Sequence, residues 1–269
     1  MKKLLTILTI SIISQIISLN SFAGSDGSVE MKKVDKTLET TSEIKDCFET
    51  VNRGIFAFNQ GLDKIFFKPV AKGYRYLPKP IRSGTSNALS NLSNVVTIPN
   101  NILQGQIKEA GINTLRFSIN STLGIAGIFD IASYYGLNKL DKEDYGQTLG
   151  TWGVKEGCYF VLPVLGPTTV RDSLGSMINF SGGDAWYNVT IANDTTHFEN
   201  SDYYYSRLTA GVDFRAKNLE AFDSLEKNSL DLYASVRSLY LQDRKRKILN
   251  LDETTETMND DDWEEIDTQ

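Results

Sequence analysis

The sequence predicts an all-α fold that is interrupted by one irregular segment rich in glycine and proline. Three observations lead to this prediction. Apolar residues recur at three- and four-residue spacing through most of the chain, which is typical of amphipathic helices. Strand signals are sparse. The segment GTWGVKEGCYFVLPVLGPTTVRDSLG, residues 150–175, carries five glycines and two prolines around an apolar run, so we expect at most a short β-hairpin there.

The N-terminus has the pattern of a signal peptide. Two lysines precede an apolar stretch at residues 4–19, and the small residues Ser21 and Ala23 then form a cleavage site. The apolar stretch is about 16 residues long and a spanning helix needs roughly 20, which favours a cleaved signal peptide at residues 1–23 over an uncleaved membrane anchor. Residues 24–45 are polar and lack apolar periodicity, so we expect a flexible linker there.

The first helix is predicted over residues 52–68. Its main apolar stripe is formed by residues at helical spacing: Ile55, Phe58, Leu62, Ile65 and Phe66. Phe56 and Phe67 lie about 100° away from that stripe, on a side that a soluble helix would leave polar. Pro69 is expected to end this helix, because proline disfavours the helical conformation of the residue before it.

Two further helices are predicted in the next part of the chain. Residues 81–96 predict a shorter helix that ends before Pro99, and residues 106–133 predict one long helical run. Small residues recur in the second half of that run: Gly124, Ala126, Gly127 and Ala132. Such residues let helices approach closely, either in a membrane bundle or in a tight soluble core.

The remaining elements are a short extended pair and two C-terminal helices. Residues 151–154 and 159–164 are the best strand candidates, with a turn at residues 155–157. Helices are expected at about 212–226 and 229–248.

The charge balance excludes one class of partner. The chain has 28 basic and 34 acidic residues, and removal of the two signal-peptide lysines leaves 26 against 34, a net charge of −8. This excess of acid argues against nucleic-acid binding, which needs lysine and arginine to neutralise phosphates.

Residues 251–269 are predicted to be a disordered acidic tail. The less favoured alternative is that the tail is a docking peptide, in which Trp263 and Ile266 are the only bulky apolar residues. The basic run at residues 244–247 suits either a helix C-terminus or contact with anionic lipid.

No catalytic or metal-binding motif is present in the sequence, and we predict neither an enzyme nor a cofactor. The single histidine, His197, excludes a multi-histidine metal site and lies in a polar stretch of turn character. We expect Arg171 and Asp172 to form local salt bridges or to cap the helix that follows Pro167, rather than to act in acid–base catalysis. The two cysteines, Cys47 and Cys158, allow one disulfide.

The aromatic content favours contact with a membrane surface. The chain has 13 Phe, 12 Tyr and 3 Trp, and Tyr and Trp are enriched where membrane meets water. No segment after residue 19 is long and apolar enough to span a bilayer, so we expect partial immersion by amphipathic helices.

The chain resembles the MlaA (VacJ) family of Gram-negative outer-membrane proteins, which maintain lipid asymmetry. The resemblance begins with DCFETVNRGIFAFNQGLDKIFFKPV at residue 46 and continues through IPNNILQG, RFSINSTLGIAGIFDIAS, YGQTLGTWGV, YFVLPVLGPTTVRDSLG and NSLDLYASVRSLYLQDR. The rare motif LP-x-x-GP-T/S-x-x-RD makes the match specific. We therefore expect one family domain at residues 46–250.

The resemblance implies a helical ring embedded in the periplasmic leaflet of the outer membrane. An amphipathic channel through the ring would take mislocalised phospholipids from the outer leaflet to a soluble periplasmic carrier of the MlaC type, and trimeric porins would sit beside it. The alternatives are a static porin-associated scaffold without lipid transfer and a lipid hydrolase, which the missing nucleophile motif disfavours.

Twelve residues are the candidate channel positions: Asn52, Phe56, Phe58, Asn59, Phe66, Phe67, Tyr145, Trp152, Phe160, Leu162, Arg171 and Asp172. The family signature NR-x-x-F-x-FN runs from Asn52 to Asn59, where the alternative is plain core for Phe58 and a helix-interior hydrogen bond for Asn59.

The sequence departs from the family in two respects. Family members usually carry a lipid-modified cysteine at the cleavage point, whereas Gly24 follows Ala23 here, so we expect no diacylglyceryl group. Cys47 and Cys158 occupy positions where the family commonly has proline. Their joint appearance in an exported chain predicts a disulfide between them.

Overall fold

The computed structural model describes residues 44–192 and 198–251. The predicted signal peptide, nearly all of the predicted linker, His197 and the acidic tail lie outside these residues. The described part is mostly helical with one two-stranded antiparallel sheet, which confirms the predicted fold class. The helices are α1 Glu49–Leu62, α2 Lys68–Arg75, α3 Lys79–Leu103, α4 Ile107–Thr122, α5 Ile131–Tyr134, α6 Tyr145–Thr151, α7 Val170–Ile178, α8 Ala185–Tyr187, α9 Asn200–Lys217, α10 Leu219–Asn228 and α11 Leu232–Ile248; the strands are β1 Tyr159–Leu162 and β2 Gly166–Thr169.

The predicted end of the first helix at Pro69 is wrong. A single wide π turn, Asp63–Phe67, joins α1 directly to α2, and the helical path continues to Arg75. Pro69 is the second residue of α2, and because the helical path is continuous here its missing N–H removes one backbone hydrogen bond. The π turn before it leaves space for the pyrrolidine ring of Pro69, which would clash with the preceding turn of a regular α-helix.

The predicted end of the second helix at Pro99 is also wrong, because α3 runs through this proline for another turn. Pro99 cannot donate to the carbonyl of Val95. Just beyond it, the side-chain amide of Asn100 donates to the carbonyl of Val96 at 2.8 Å. α3 packs along α4 over much of its length, and this tertiary contact outweighs the local cost of the proline.

The long helical run predicted at residues 106–133 is broken. α4 ends at Thr122 and the short α5 begins at Ile131. Between them, Ile125, Ala126 and Gly127 have φ values of 50°, 54° and 90°, which reverse the chain locally. The turn leaves large side chains exposed at Leu123, Ile125, Ile128 and Phe129; we refer to residues 123–129 as the apolar turn.

The strand predicted at residues 159–164 is present over Tyr159–Leu162, but its predicted partner is wrong. β1 pairs with β2 downstream, in the register Tyr159 opposite Thr169, and residue 151 belongs to α6. The side chain of Asp144 caps α6 by accepting from the N–H of Gln147, which commits residues 145–151 to helix. The hairpin turns through Val164, at a φ of 68°.

The C-terminal third is more helical than predicted. One helix was expected at 212–226, whereas α9 begins at Asn200 and α10 follows after a break at Asn218. The helix expected at 229–248 is confirmed as α11, capped by the side chain of Asp231. Among the described residues no helix combines the length and apolarity needed to cross a bilayer.

Candidate functional site

The described part of the chain is built with polar residues inside and many apolar residues outside. Twenty-four of its buried side chains are polar or charged and 12 are hydrophobic, and the latter include four alanines and five tyrosines. Isoleucine and phenylalanine, which normally fill protein cores, are absent from this buried set. Within residues 44–192 and 198–251, the buried hydrophobic residues form two small clusters, the larger around Tyr159, Val161, Tyr233 and Tyr240.

One part of the polar interior lies where α3 packs on α4. Apart from Gly84, the buried residues of α3 are all polar: Asn91, Asn94, Thr97, Asn100 and Asn101. Asn113 of α4 donates to Asn101 Oδ1 at 2.9 Å, and Asn101 in turn donates to Gln106 Oε1 at 2.6 Å. These amides satisfy one another across the helix pair, as buried polar groups must.

The exposed surface carries a corresponding excess of large apolar side chains. On α1 and the π turn, Phe58, Ile65 and Phe66 are 58%, 81% and 52% exposed, so the predicted apolar stripe faces outward. The alternative that Phe58 is plain core is therefore wrong. Exposed apolar surface on this scale marks a contact with a membrane or a partner.

Two asparagines of α1 hold strand β1 through paired amide bonds. Asn52 donates to the carbonyl of Tyr159 at 3.3 Å and accepts from the N–H of Val161 at 3.0 Å. Two turns later, Asn59 donates to the carbonyl of Leu162 at 2.9 Å and accepts from the N–H of Val164 at 2.7 Å. Each side chain thus replaces the neighbouring strand that β1 lacks on this edge, because a side-chain amide offers the same donor and acceptor as a peptide group.

The start of the described chain is tied to the same strand. Cys47 and Cys158 form a disulfide, with their Cα atoms 5.6 Å apart. The N–H of Tyr159 donates to the carbonyl of Lys45 at 3.0 Å, and Asp46 accepts from Asn52 at 2.6 Å and also from the hydroxyl of Tyr233. Covalent and hydrogen-bonded links therefore converge on the first residues of β1.

Arg171 and Asp172 lie in a buried ionic cluster at the start of α7. Arg171 donates to Asp172 Oδ1 from Nε and Nη2 at 3.1 Å each, and to Glu156 at 3.1 Å. Arg244 of α11 reaches Asp172 at 2.8 and 3.1 Å and Asp144 at 2.6 and 3.0 Å. The predicted salt bridge is present, whereas the capping alternative is not: Thr169 caps α7.

The charges in this cluster hold each other in their ionised forms. Burial acts to raise the pKa of Asp172, but the charges of Arg244 and Arg171 outweigh it and lower this pKa below its usual value. Burial likewise opposes ionisation of Asp144, and Arg244 lowers its pKa to about 2. The hydroxyl of Tyr240 donates to Asp172 at 2.5 Å, and burial together with this carboxylate raises the pKa of Tyr240. The cluster is a closed ion-pair network rather than a general acid or base.

The other candidate channel residues occupy varied environments. Phe56 packs edge-on against Tyr233 at 5.5 Å between ring centres, and Tyr145 is buried with its hydroxyl donating to the carbonyl of Gly183 at 2.8 Å. The indole of Trp152 is exposed and donates to the carbonyl of Leu103 at 3.0 Å. The remaining three, Phe67, Phe160 and Leu162, are half-buried.

The twelve candidates thus fall into separate groups rather than one continuous lining. Asn52, Phe56, Asn59, Phe160 and Leu162 meet where α1 contacts the hairpin. The Arg171–Asp172 pair lies with Tyr145 where α6 packs on α7. Phe58 and Phe66 face outward.

Sequence reasoning missed the polar interior of α3 and α4. The available signal was the spacing of asparagines in α3, because residues 91, 94, 97 and 100 are polar at every third position. A run of this kind normally marks a face exposed to water, and here it is buried. Within the described ranges no three side chains of histidine, cysteine, aspartate or glutamate are grouped to hold a metal ion.

Comparison with known proteins identifies the family. The family model described as MlaA lipoprotein matches residues 44–247. The chain is 30% identical over 272 residues to the intermembrane phospholipid transport system lipoprotein MlaA of Haemophilus influenzae, covering 96% of this chain and 99% of that protein. It is 35% identical over 208 residues to an uncharacterized protein of Rickettsia bellii, covering 77% and 78% of the two chains. A solved chain from work on the structural basis for maintenance of bacterial outer membrane lipid asymmetry superposes with a TM-score of 0.65 at 32% identity, covering 76% of this chain and 99% of that chain. The chain therefore belongs to the MlaA lipoprotein family.

Proposed function

We propose that this protein is the outer-membrane component of an intermembrane phospholipid transport system. It removes mislocalised phospholipids from the outer leaflet through an amphipathic channel and passes them to a periplasmic carrier of the MlaC type. The single observation that carries this proposal is the reversed distribution of polarity, with amides and ion pairs inside and phenylalanine, isoleucine and leucine outside. The similarity to the intermembrane phospholipid transport system lipoprotein MlaA of Haemophilus influenzae supports it.

The proposed location follows from the same distribution of side chains. The exposed apolar residues lie in the lipid of the periplasmic leaflet, where burial of each square ångström of apolar surface contributes about 25 cal/mol. Short amphipathic helices suffice for such partial immersion. Residues 1–23 direct export and are removed, and trimeric porins are the expected neighbours in the membrane.

The proposed mechanism needs no covalent chemistry. A phospholipid has a charged headgroup, which is costly to move through hydrocarbon, and acyl chains, which are costly to move through water. A polar interior beside apolar surface lowers both costs at once. Removal of lipid by the carrier then gives the movement its direction.

A transfer assay tests the proposal against its alternatives. The full mature chain is placed in donor vesicles with fluorescent phospholipid, and transfer to a purified periplasmic carrier is followed. The proposed channel gives transfer above the protein-free rate, whereas a static scaffold gives none. Release of fatty acid or of a free headgroup, measured on the same samples, would instead indicate a hydrolase.

A matched pair of variants links transfer to the polar interior. Asn101→Leu with Asn113→Leu replaces two hydrogen-bonded partners together, so neither is left facing an unpaired amide, and the half-buried Gln106 Oε1 loses its donor Asn101 at a cost of about 1–3 kcal/mol. We expect this variant to fold and to lose most of the transfer. Ser83→Leu with Ser118→Leu adds similar apolar bulk at exposed positions of the same helices and should retain it. Equal transfer by both variants would contradict a polar path between α3 and α4.

A further inference from the structure

A cleft beside α3 and α4 carries an excess of positive charge. Polar side chains form most of its lining: Asn87, Ser90, Asn91, Asn94, Arg116, Asn120, Asp130, Lys139 and Lys142, with Leu140 as the one apolar member. Arg116, Lys139 and Lys142 supply three positive charges and Asp130 supplies one negative charge. The residues that α3 contributes are all neutral, so the net charge of the lining is about +2 at neutral pH when Lys142 is protonated.

Two of the three cations, Arg116 and Lys139, are already partnered. Arg116 donates to Asp130 at 2.8 Å and Lys139 lies 3.3 Å from the same carboxylate. Asp130 is held in place by Asn120 at 3.0 Å and by Ser133 at 2.7 Å. One carboxylate thus serves two cations and is saturated with donors.

Lys142 differs from these cations because no carboxylate in the described chain lies within ion-pair distance of it. Its ammonium donates to the neutral amide oxygen of Asn94 at 2.6 Å. Burial lowers the pKa of Lys142 to about 7, and the charges of Arg116 and Lys139 act in the same direction. A partly buried ammonium without a counter-ion is costly, and an anion entering the cleft would remove that cost.

The cleft also contains an unsatisfied acceptor. Asn91 is buried and its Nδ2 donates to Ser121 at 2.8 Å, but its Oδ1 has no hydrogen-bond partner among the described residues. An ammonium or hydroxyl group would satisfy this oxygen. In phosphatidylethanolamine and phosphatidylglycerol such a donor lies a few ångströms from the phosphate, whereas the O–H groups of inorganic phosphate are on the phosphorus itself.

Apolar surface borders the same cleft. The side chain of Asn87 donates to the carbonyl of Ile128 at 3.3 Å. Gly127 packs closely on Asn91, and a Cβ added to Gly127 would lie 2.5 Å from the Cβ of Asn91. Residues 123–129, the apolar turn, therefore lie beside the cleft, in contact with its lining residues Asn87 and Asn91. A cationic cleft with an exposed apolar rim matches a molecule that has a phosphate at one end and hydrocarbon at the other.

We propose that this cleft binds the phosphate group of a phospholipid, with Lys142 as the principal contact and the acyl chains lying against the apolar turn. This inference rests on the proposed transport function and names the group that the transporter recognises. Asn91 Oδ1 accepts from the amine or hydroxyl of the headgroup. Arg116 and Lys139 contribute to the positive potential without giving up Asp130.

A binding experiment on the full mature chain in a neutral detergent tests the inference. The probes are dihexanoyl phosphatidylglycerol, dihexanoylglycerol, which lacks the phosphate, and inorganic phosphate. Lys142→Met should weaken binding of the phospholipid by about tenfold or more, the usual effect of losing a charge-assisted hydrogen bond. Lys142→Arg should retain binding. Lys108→Met removes a lysine at an exposed position of α4 and serves as the matched control.

The three probes separate the possible outcomes. Tight binding of the phospholipid, with weak binding of both other probes, supports the proposal. Wild-type affinity in Lys142→Met overturns it, and so does inorganic phosphate binding as tightly as the phospholipid, which would assign the cleft to a free anion. Met removes a buried charge and keeps most of the side-chain volume, which offsets the loss of the donor to the buried Asn94 Oδ1, so we expect the variant to fold.

The transfer assay distinguishes failure of this inference from failure of the proposed function. If wild type and Lys142→Met transfer phospholipid equally well, the protein is a transporter and the cleft assignment is wrong. If wild type transfers nothing, the transport function itself is wrong. Reduced transfer by Lys142→Met, with full transfer by Lys108→Met, supports both.

Discussion

Gly175 of α7 faces Gly146 of α6 so closely that a Cβ on Gly175 would lie 2.2 Å from the backbone nitrogen of Gly146. The same addition at Gly146 would meet Asp172 Oδ1 at 2.7 Å and Arg244 Nη2 at 2.8 Å. The two glycines therefore bring the helices together directly beside the buried ionic cluster. This close approach lets Asp144, before α6, and Asp172, in α7, share Arg244.

Gly175→Ala should destabilise the protein. Backbone atoms cannot move aside as a flexible side chain does, so the helices must separate and the Arg244 bonds must stretch; we expect a loss of about 2–4 kcal/mol in the free energy of unfolding. Gly111→Ala is the matched control, because nothing lies within 4 Å of its added Cβ in the helix α4. That change should stabilise by about 0.5–1 kcal/mol. Thermal unfolding in detergent measures both, and equal stability of the two variants would contradict the close approach.

Arg244→Met should be more damaging than removal of an exposed ion pair. The variant leaves Asp144 and Asp172 facing each other without this cation, and loss of one partner from a buried pair costs about 3–5 kcal/mol. Arg75→Met removes a salt bridge to Glu220 whose side chains are 37% and 70% exposed, and we expect a change of about 1 kcal/mol or less. The unfolding midpoints of the two variants are compared with wild type at the same pH. Similar midpoints would show that the cluster contributes little to stability.

Asn59→Ala should loosen the hairpin while Phe58→Ala should not. The first variant leaves the carbonyl of Leu162 and the N–H of Val164 without their side-chain partner, at a cost of about 1–3 kcal/mol. Phe58 is largely exposed, so its truncation changes contact with detergent or lipid rather than the core. Amide hydrogen exchange at Val164 provides the measurement. Protection at Val164 that survives in Asn59→Ala would contradict the clamp.

The sequence predicted helices well where local chemistry and tertiary packing agree, as in α11, which begins at its Asp231 cap. It failed at Pro69 and Pro99, where a proline predicts an end but a π turn or helix packing lets the chain continue. The candidate site was predicted only in part. Periodicity groups residues onto one face, but it does not say whether that face meets water, lipid or protein, and so the buried asparagines of α3 were missed.

Glu143→Gln should stabilise the protein above neutral pH and have little effect in mild acid. Burial is the main cause that raises the pKa of Glu143 to about 7 from 4.5, and Asp144 and Asp141 add to it, while the hydrogen bond from Gln104 acts in the opposite direction. A carboxyl with a raised pKa in the folded state contributes stability below its unfolded pKa and loses it as pH rises through the folded value. The stability that the protonated Glu143 contributes is therefore lost between about pH 4.5 and 7. Above that window the variant avoids a buried charge, a gain on the order of 2 kcal/mol. Unfolding midpoints at pH 5 and pH 8 measure the difference, and a gain of equal size at both would contradict the raised pKa.

The disulfide between Cys47 and Cys158 should make the unfolding midpoint sensitive to reductant. The cysteines are 111 residues apart in sequence, and closing a loop of this length stabilises by about 4–5 kcal/mol in the chain-entropy model. The double variant Cys47→Ser with Cys158→Ser should unfold at a lower temperature than wild type and lose its response to dithiothreitol. Because these are the only two cysteines in the sequence, alkylation gives a clear second measurement. Unfolded wild type should take up no label without reductant and two labels after reduction. Two labels before reduction would show that the pair is not bonded in the isolated protein; the hydrogen bonds of Lys45 and Asp46 to Tyr159, Asn52 and Tyr233 would then hold the start of the domain.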